Sequence, residues 1–321
     1  MIPYDAEPRP ETTTFSFRSD VKCCTYMPSL PNFLAGGVIM EQRSLHAKEV
    51  LASRIDFGSG VTPLYVERTA LFAHVYDAAR SAFGRSASLR CPYFDDNGRC
   101  GIWAHRDSTC FTWFCKHGRG KLGWEYWDAV RTYFQHVEQS LAIHAALSLG
   151  VSPSTIGKSM QYHRTASGER VVSEIVECER ASLGPLPSSY NEDWSLYFAD
   201  CARFIRSQST IELFKVLGSK GQALRLVVEE RAKALTEGSW PSRMKLGKFS
   251  IKRLKTGFYQ LISFSENDPV AVSSDMWDYL SLLDDTTLDD LIRNAPSSTR
   301  EQLTPQVIRT LMDYGILVAV G

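Results

Sequence analysis

With 321 residues the chain can bury one large core or two smaller ones. Its 36 Lys and Arg are matched by 36 Asp and Glu, so the overall field is neutral and disfavours a polyanion as the main partner. No apolar run approaches the roughly 18 residues that span a bilayer, and residues 1–15 lack the basic and apolar regions of a signal peptide. The expected location is cytoplasmic, with no membrane partner and with thiols kept reduced.

Residues 1–20 are polar and rich in Pro and Thr, which predicts a surface arm. The adjacent pair Cys23-Cys24 follows, and then PSLPNFLAGGVI, whose two prolines and Gly pair predict a loop. GGVIMEQRSLHAKEVLASRI reads as a turn and a short amphipathic helix. Residues 64–83 are apolar at helical spacing, with His74 on or near the inward face as a core or boundary histidine.

Residues 91–115, CPYFDDNGRCGIWAHRDSTCFTWFC, hold four of the eight cysteines among aromatics and turn residues. DDNG signals a tight turn. From Trp124 a long helical pattern runs to Gly150, with Pro153 behind it as a stop signal. His136 and His144 lie about two turns apart on it and are assigned structural roles. Cys178 and Cys201 stand alone and read as apolar core residues on helices. Residues 194–234 are again helical, and the stretch from Trp240 to Tyr259 carries six Lys or Arg and no acid. That change of character predicts a basic linker over 236–257.

The last segment has a strand pattern in FYQLISFS. Three short helices follow, with Ser274 or Asp275, then Thr287, then Thr304 as caps and Pro305 at a first helical position. GILVAV closes as a strand. This winged-helix-like plan resembles the small PqqD-type domains that hold leader peptides beside peptide-modifying enzymes. The resemblance implies a peptide or protein partner for 258–321. DNA is disfavoured, because the third helix offers Arg309 alone while Asp284, Asp285, Asp289 and Asp290 lead the second.

Clustered thiols in a reducing compartment point to metal binding or catalysis rather than disulfides. Thiolates suit zinc, copper(I) and iron–sulfur clusters. The spacing Cys91-x8-Cys100-x9-Cys110-x4-Cys115 contains neither a zinc knuckle nor a ferredoxin run. Four ligands complete a tetrahedral zinc or a cubane cluster, and Cys23, Cys24, Cys91, Cys100, Cys110 and Cys115 are the six candidates. The two segments are expected to meet in space. His105 and His117 are the nearest histidines. Cys115, beside Lys116, His117 and Arg119, is the second-rank candidate for a nucleophile, since positive neighbours lower a thiol pKa. There is no Rossmann fingerprint, P-loop, HExxH or GxSxG.

The stretch CPYFDDNGRCGIWAHRDSTC resembles the second half of the YkgJ-like CxxCxxCC proteins, a family described as zinc- or iron-chelating. The matching residues are Cys91, Phe94, Gly98, Cys100, Ile102, Trp103, Arg106 and Cys110, and Cys23-Cys24 matches the closing CC pair. The family's earlier cysteines are absent, and Cys115 is additional to the pattern. The resemblance implies a ligand set of Cys24, Cys91, Cys100 and Cys110, with Cys23 or Cys115 completing or replacing one. The cofactor is then a 4Fe-4S cluster or zinc. Phe94, Ile102 and Trp103 are expected to form a dry wall, and Arg106 to offset thiolate charge.

The fold expected is therefore mainly α with a loop-rich cysteine-cluster region and a small C-terminal winged-helix-like α+β module. The domains expected are a cysteine-cluster helical domain over 1–235, the linker over 236–257, and the module over 258–321. One functional reading is a metal- or cluster-binding redox or peptide- or protein-modifying enzyme. The other is a non-enzymatic metal- or redox-responsive regulator or a zinc-stapled scaffold.

Overall fold

The computed structural model describes residues 17–42, 44–58, 60–165, 184–236 and 240–320. The described residues are mainly helical, with 55% helix against 10% strand, and their larger antiparallel sheets lie near the C-terminus. Two compact units divide the described residues: 17–112 with 131–165 and 184–223, and 113–130 with 224–236 and 240–320. Among the described residues no helix is long and apolar enough to cross a membrane. Cys178 lies outside the described residues.

The first unit opens with a two-residue ladder, in which β1 (Leu30–Pro31) pairs antiparallel with β2 (Tyr65–Val66). Of the segment expected to be a loop, residues 28–39, the part from Asn32 onward lies in helix α1 (Asn32–Met40). Two features override its Pro and Gly content. Asn32 is fully buried, and its side-chain amide donates to Pro63 O at 3.1 Å and Ala142 O at 2.9 Å. Gly36 lets α1 press against α7 (Trp194–Ser207), because a Cβ there would stand 1.8 Å from Phe198 O. Gly here serves helix–helix contact rather than a turn.

Helix α2 (Leu45–Phe57) is capped by Ser44, whose hydroxyl accepts from Ala47 N, and it ends at Gly58 with φ +69°. The expected helix over 64–83 is shorter, because Tyr65 and Val66 are taken by the ladder. Thr69 then caps α3 (Ala70–Ala78), and His74 is exposed rather than at the core boundary. A five-residue helix α4 (Ser108–Thr112) follows the cysteine loop. Helix α5 (Gly120–Ser148) stops at Gly150, φ +88°, and α6 (Pro153–Thr165) begins at the proline that signals the stop. The core of this unit gathers Leu30, Leu51, Leu64, Tyr197, Phe198 and Cys201, so Cys201 is the buried core thiol expected. His136 bonds Leu217 O at 2.9 Å and His144 packs on Phe204, both structural roles.

Helix α8 (Thr210–Thr236) breaks at Gly218, whose φ +61° and ψ −164° lie in a region that only glycine visits readily. Both α5 and α8 contribute residues to each unit. In the second unit, β3 (Met244–Leu246) pairs with β7 (Leu317–Ala319), while β4 (Ser250–Arg253), β5 (Phe258–Ile262) and β6 (Val270–Ser273) form a three-stranded antiparallel sheet. The basic segment expected as a linker is thus two strands. Met244 is completely buried and exchanges backbone hydrogen bonds with Thr286, which fixes this segment to the core. Four short helices follow: α9 (Ser274–Leu280), α10 (Leu288–Arg293), α11 (Ser297–Arg300) and α12 (Pro305–Asp313). Thr287 and Thr304 are the caps expected, and Ser273 caps α9 in place of Ser274 or Asp275. Residues 113–130, assigned from sequence to the first domain, are tied into this unit by Arg119, whose guanidinium forks onto Asp313 at 2.7 and 3.0 Å.

Candidate functional site

The first two cysteines of the loop flank a tight hairpin. Gly98 N donates to Asp95 O at 3.1 Å, the Asp95 carboxylate accepts Arg99 N at 2.8 Å, and Gly98 takes φ +75°. Phe94 and Cys100 then face each other as an antiparallel bridge, and Gly101 N reaches back to Tyr93 O. The DDNG turn therefore folds the eight residues between Cys91 and Cys100 back on themselves, as a ligand loop requires.

The Cys23-Cys24 segment docks on this hairpin through its backbone. Cys91 N donates to Cys24 O at 2.7 Å, and Lys22, in the left-handed region at φ +56°, extends Nζ to Gly98 O at 3.1 Å. The thiols that result are close enough to sense one another's charge. Cys24 interacts with Cys23, Cys91 and Cys100, and Cys110 with Cys91 and Cys100. Cys91 is buried, Cys24, Cys100 and Cys110 are half-buried, and Cys23 is exposed.

Environment separates Cys23 from the rest. A hydrogen bond from Cys24, helped by the nearby charges of Lys22 and Arg106, brings the Cys23 thiol down to about 6. The same bond pushes Cys24 far up, since it holds the shared proton. Burial raises Cys91 to about 12 and raises Cys100, and burial with the neighbouring Asp107 raises Cys110. Burial and the shared hydrogen bond thus favour the neutral form of four thiols, while the fifth, Cys23, is shifted toward the thiolate.

Asp107 and Glu138 are buried carboxylates beside the cysteine segments that the sequence reading missed. Asp107 is buried at the start of α4, where one carboxylate oxygen accepts Cys110 N at 2.9 Å and the other accepts Ser29 N at 3.2 Å. It joins Cys110 to the chain that follows Cys24. Its pKa is raised by burial. Glu138, on α5, accepts from Ser108 N at 2.6 Å and from the Ser108 hydroxyl at 2.7 Å, and burial pushes it up to about 8. The Asp-Ser-Thr run before Cys110 was a cap signal in the sequence; nothing local marked Glu138.

The residues carried by the family resemblance divide. Phe94 and Ile102 are buried, as a dry wall requires, but Trp103 is 65% exposed. Its ring lies under the Arg106 guanidinium, 3.6 Å from the centroid, so it serves as a platform for that charge instead. The Arg106 charge lies near enough to favour the thiolate forms of both Cys23 and Cys100. His105 is paired with Glu41, Nε2 to Oε2 2.9 Å. Cys115 belongs to the second unit, where His117 N donates to Asp268 at 3.0 Å and Nδ1 lies 3.8 Å from the same carboxylate.

Among the described residues, no group of three or more His, Cys, Asp or Glu side chains has its donor atoms set to hold a metal ion. The backbones of the two cysteine segments have converged, while the side chains are not in a ligating arrangement. Comparisons of the chain with protein-family models, curated proteins and solved structures gave no match.

Proposed function

We propose that the chain binds a soft metal ion or an iron–sulfur cluster through Cys24, Cys91, Cys100 and Cys110, with Cys23 as the fifth thiol of the set. The observation that carries this reading is the Cys91 N–H to Cys24 carbonyl bond, which joins two cysteine segments far apart in sequence. Buried free thiols need no such convergence to pack. A change of side-chain rotamer on a fixed backbone is the motion that ligation requires, and each thiol gives up its proton as the metal binds. Within this reading a cluster supports redox chemistry, and zinc alone supports a staple.

The test is metal and acid-labile sulfide analysis of anaerobically purified protein, with a Cys100→Ser control. Iron with stoichiometric sulfide, lost in the control, establishes the cluster; zinc lost in the control establishes the staple. Neither metal in a folded protein overturns the proposal.

A partner role for the second unit has its own support. Strand β4 is the edge of its sheet, all four of its residues are exposed, and it carries Lys252 and Arg253 with Lys248 and Lys255 beside it. An open basic edge suits an acidic extended segment added as a further strand. Titration with acidic and basic peptides of equal length tests this; equal affinity for both refutes it.

A further inference from the structure

We infer that the open edge of β4 takes an extended peptide of defined pattern, two adjacent carboxylates followed by an aliphatic residue, running antiparallel to the strand. The inference rests on the strand-addition reading above and adds the register, the direction and the side chains of the partner.

The backbone sets the register. Leu254 N donates to Phe258 O at 2.8 Å, so this pair is hydrogen-bonded at the β4–β5 turn. Antiparallel pairs alternate, so Lys252 with Gln260 and Ser250 with Ile262 are bonded as well, while Ile251 and Arg253 point their N–H and C=O groups away from β5. Among the described residues no strand lies on that side. An added strand therefore bonds to Ile251 and Arg253, and antiparallel pairing is the more stable of the two directions.

The side chains set the pattern. Ile251 stands in one row with Leu261 and Val270, and Arg253 in one row with Tyr259 and Val272. Leu261 and Val272 are buried, so these rows lie on the core-facing side of the sheet. Ile251 carries the apolar row to the edge and is left 47% exposed. Charges alone guard an edge strand against unwanted pairing, and a guard has no use for an exposed aliphatic side chain among them. An aliphatic residue opposite Ile251 completes the row. Lys252 lies on the other face, and Lys248 precedes the strand; both are exposed. Among the described residues Lys248, Lys252 and Arg253 have no carboxylate partner, whereas Arg243 is paired with Asp285 at 2.7 Å. Carboxylates opposite Arg253 and Lys252 supply what is missing. A second copy of β4 does not, because it sets like charges against one another and no acid occurs from Trp240 to Tyr259.

The test is fluorescence anisotropy of the full-length chain with the labelled, end-blocked peptide Glu-Glu-Val-Thr-Val-Glu. In the antiparallel register its glutamate pair falls opposite Arg253 and Lys252, its first valine opposite Ile251 and its last glutamate opposite Lys248. N-methylation of both valines removes N–H groups that face β4 and should weaken binding at least about tenfold. N-methylation of the second glutamate and the threonine removes groups that face solvent and should change it by less than about twofold. Ile251→Ser, a surface change that leaves the core intact, should weaken binding by about threefold or more. Lys252→Glu with Arg253→Glu should transfer the preference to the peptide with Lys for Glu. Preference for the acidic peptide with both methylated forms binding alike, or with Ile251→Ser unchanged, overturns the inference and leaves the edge a charged patch. So does concentration-dependent dimerisation of the chain that the acidic peptide does not displace. Equal binding of the acidic and Lys-for-Glu peptides, or binding of neither, overturns the strand-addition reading and this inference with it.

Discussion

Replacing Glu138 by Gln isolates the protonation of a buried carboxylate. The amide keeps both contacts with Ser108: its oxygen accepts the backbone N–H, and its NH2 donates to the hydroxyl oxygen. Only ionisation is lost. In the folded chain burial raises Glu138 from 4.5 to about 8, so between these values the folded state holds a proton that the unfolded state has released. Stability must then fall as pH rises through this window. Each pH unit corresponds to about 1.4 kcal/mol at full effect, and partial solvent access reduces the total to about 2–3 kcal/mol by pH 9. Glu138→Gln should match wild type closely at pH 5 and exceed its stability by about 2 kcal/mol at pH 9. The assay is urea unfolding of reduced, chelator-treated protein at pH 5, 7 and 9, reading the difference between the two chains so that other titrations cancel. A variant that tracks wild type at all three values, or that is less stable at pH 9, refutes the reasoning.

Gly36→Ala should destabilise the first unit by about 3 kcal/mol or more, because the added carbon meets the Phe198 carbonyl at 1.8 Å and α1 must move away from α7; a loss under about 1 kcal/mol by thermal unfolding counts against that packing. Asp107→Ala should cost about 2–4 kcal/mol, removing the cap of α4 and stranding Cys110 N and Ser29 N. Asp107→Asn, which keeps one acceptor, should cost about half as much, on the order of 1–2 kcal/mol, and metal content should fall in the same order. Arg119→Ala should cost the second unit about 2–4 kcal/mol by leaving the nearly buried Asp313 unpaired, with the conservative Lys recovering only part of it in urea unfolding.

The sequence by itself determined the elements whose signals are local. DDNG specified the hairpin between Cys91 and Cys100, because Gly98 supplies the positive φ and Asp95 supplies the carboxylate that closes the turn. Thr287, Thr304 and Pro305 marked helix starts by satisfying orphan N–H groups within one turn. The mainly helical class, with strands at 258–262 and 317–319, followed from periodicity in the same way.

Tertiary structure decided what depends on a distant partner. PSLPNFLAGGVI has the composition of a loop, and from Asn32 onward it is helical because Asn32 and Gly36 fit against Ala142 and Phe198. Residues 244–253 have the charge of a solvated linker, and they are strands because β7 and β5 offer open backbone groups to pair with. At the cysteine site the cysteines themselves were visible as a list, whereas their approach rests on a hydrogen bond from Cys91 to Cys24. The two carboxylates beside them became visible only when α5 brought Glu138 to Ser108, 30 residues away in sequence. A side chain's type is written in the chain, but its protonation is set by burial and neighbours, and those exist only once the chain has folded.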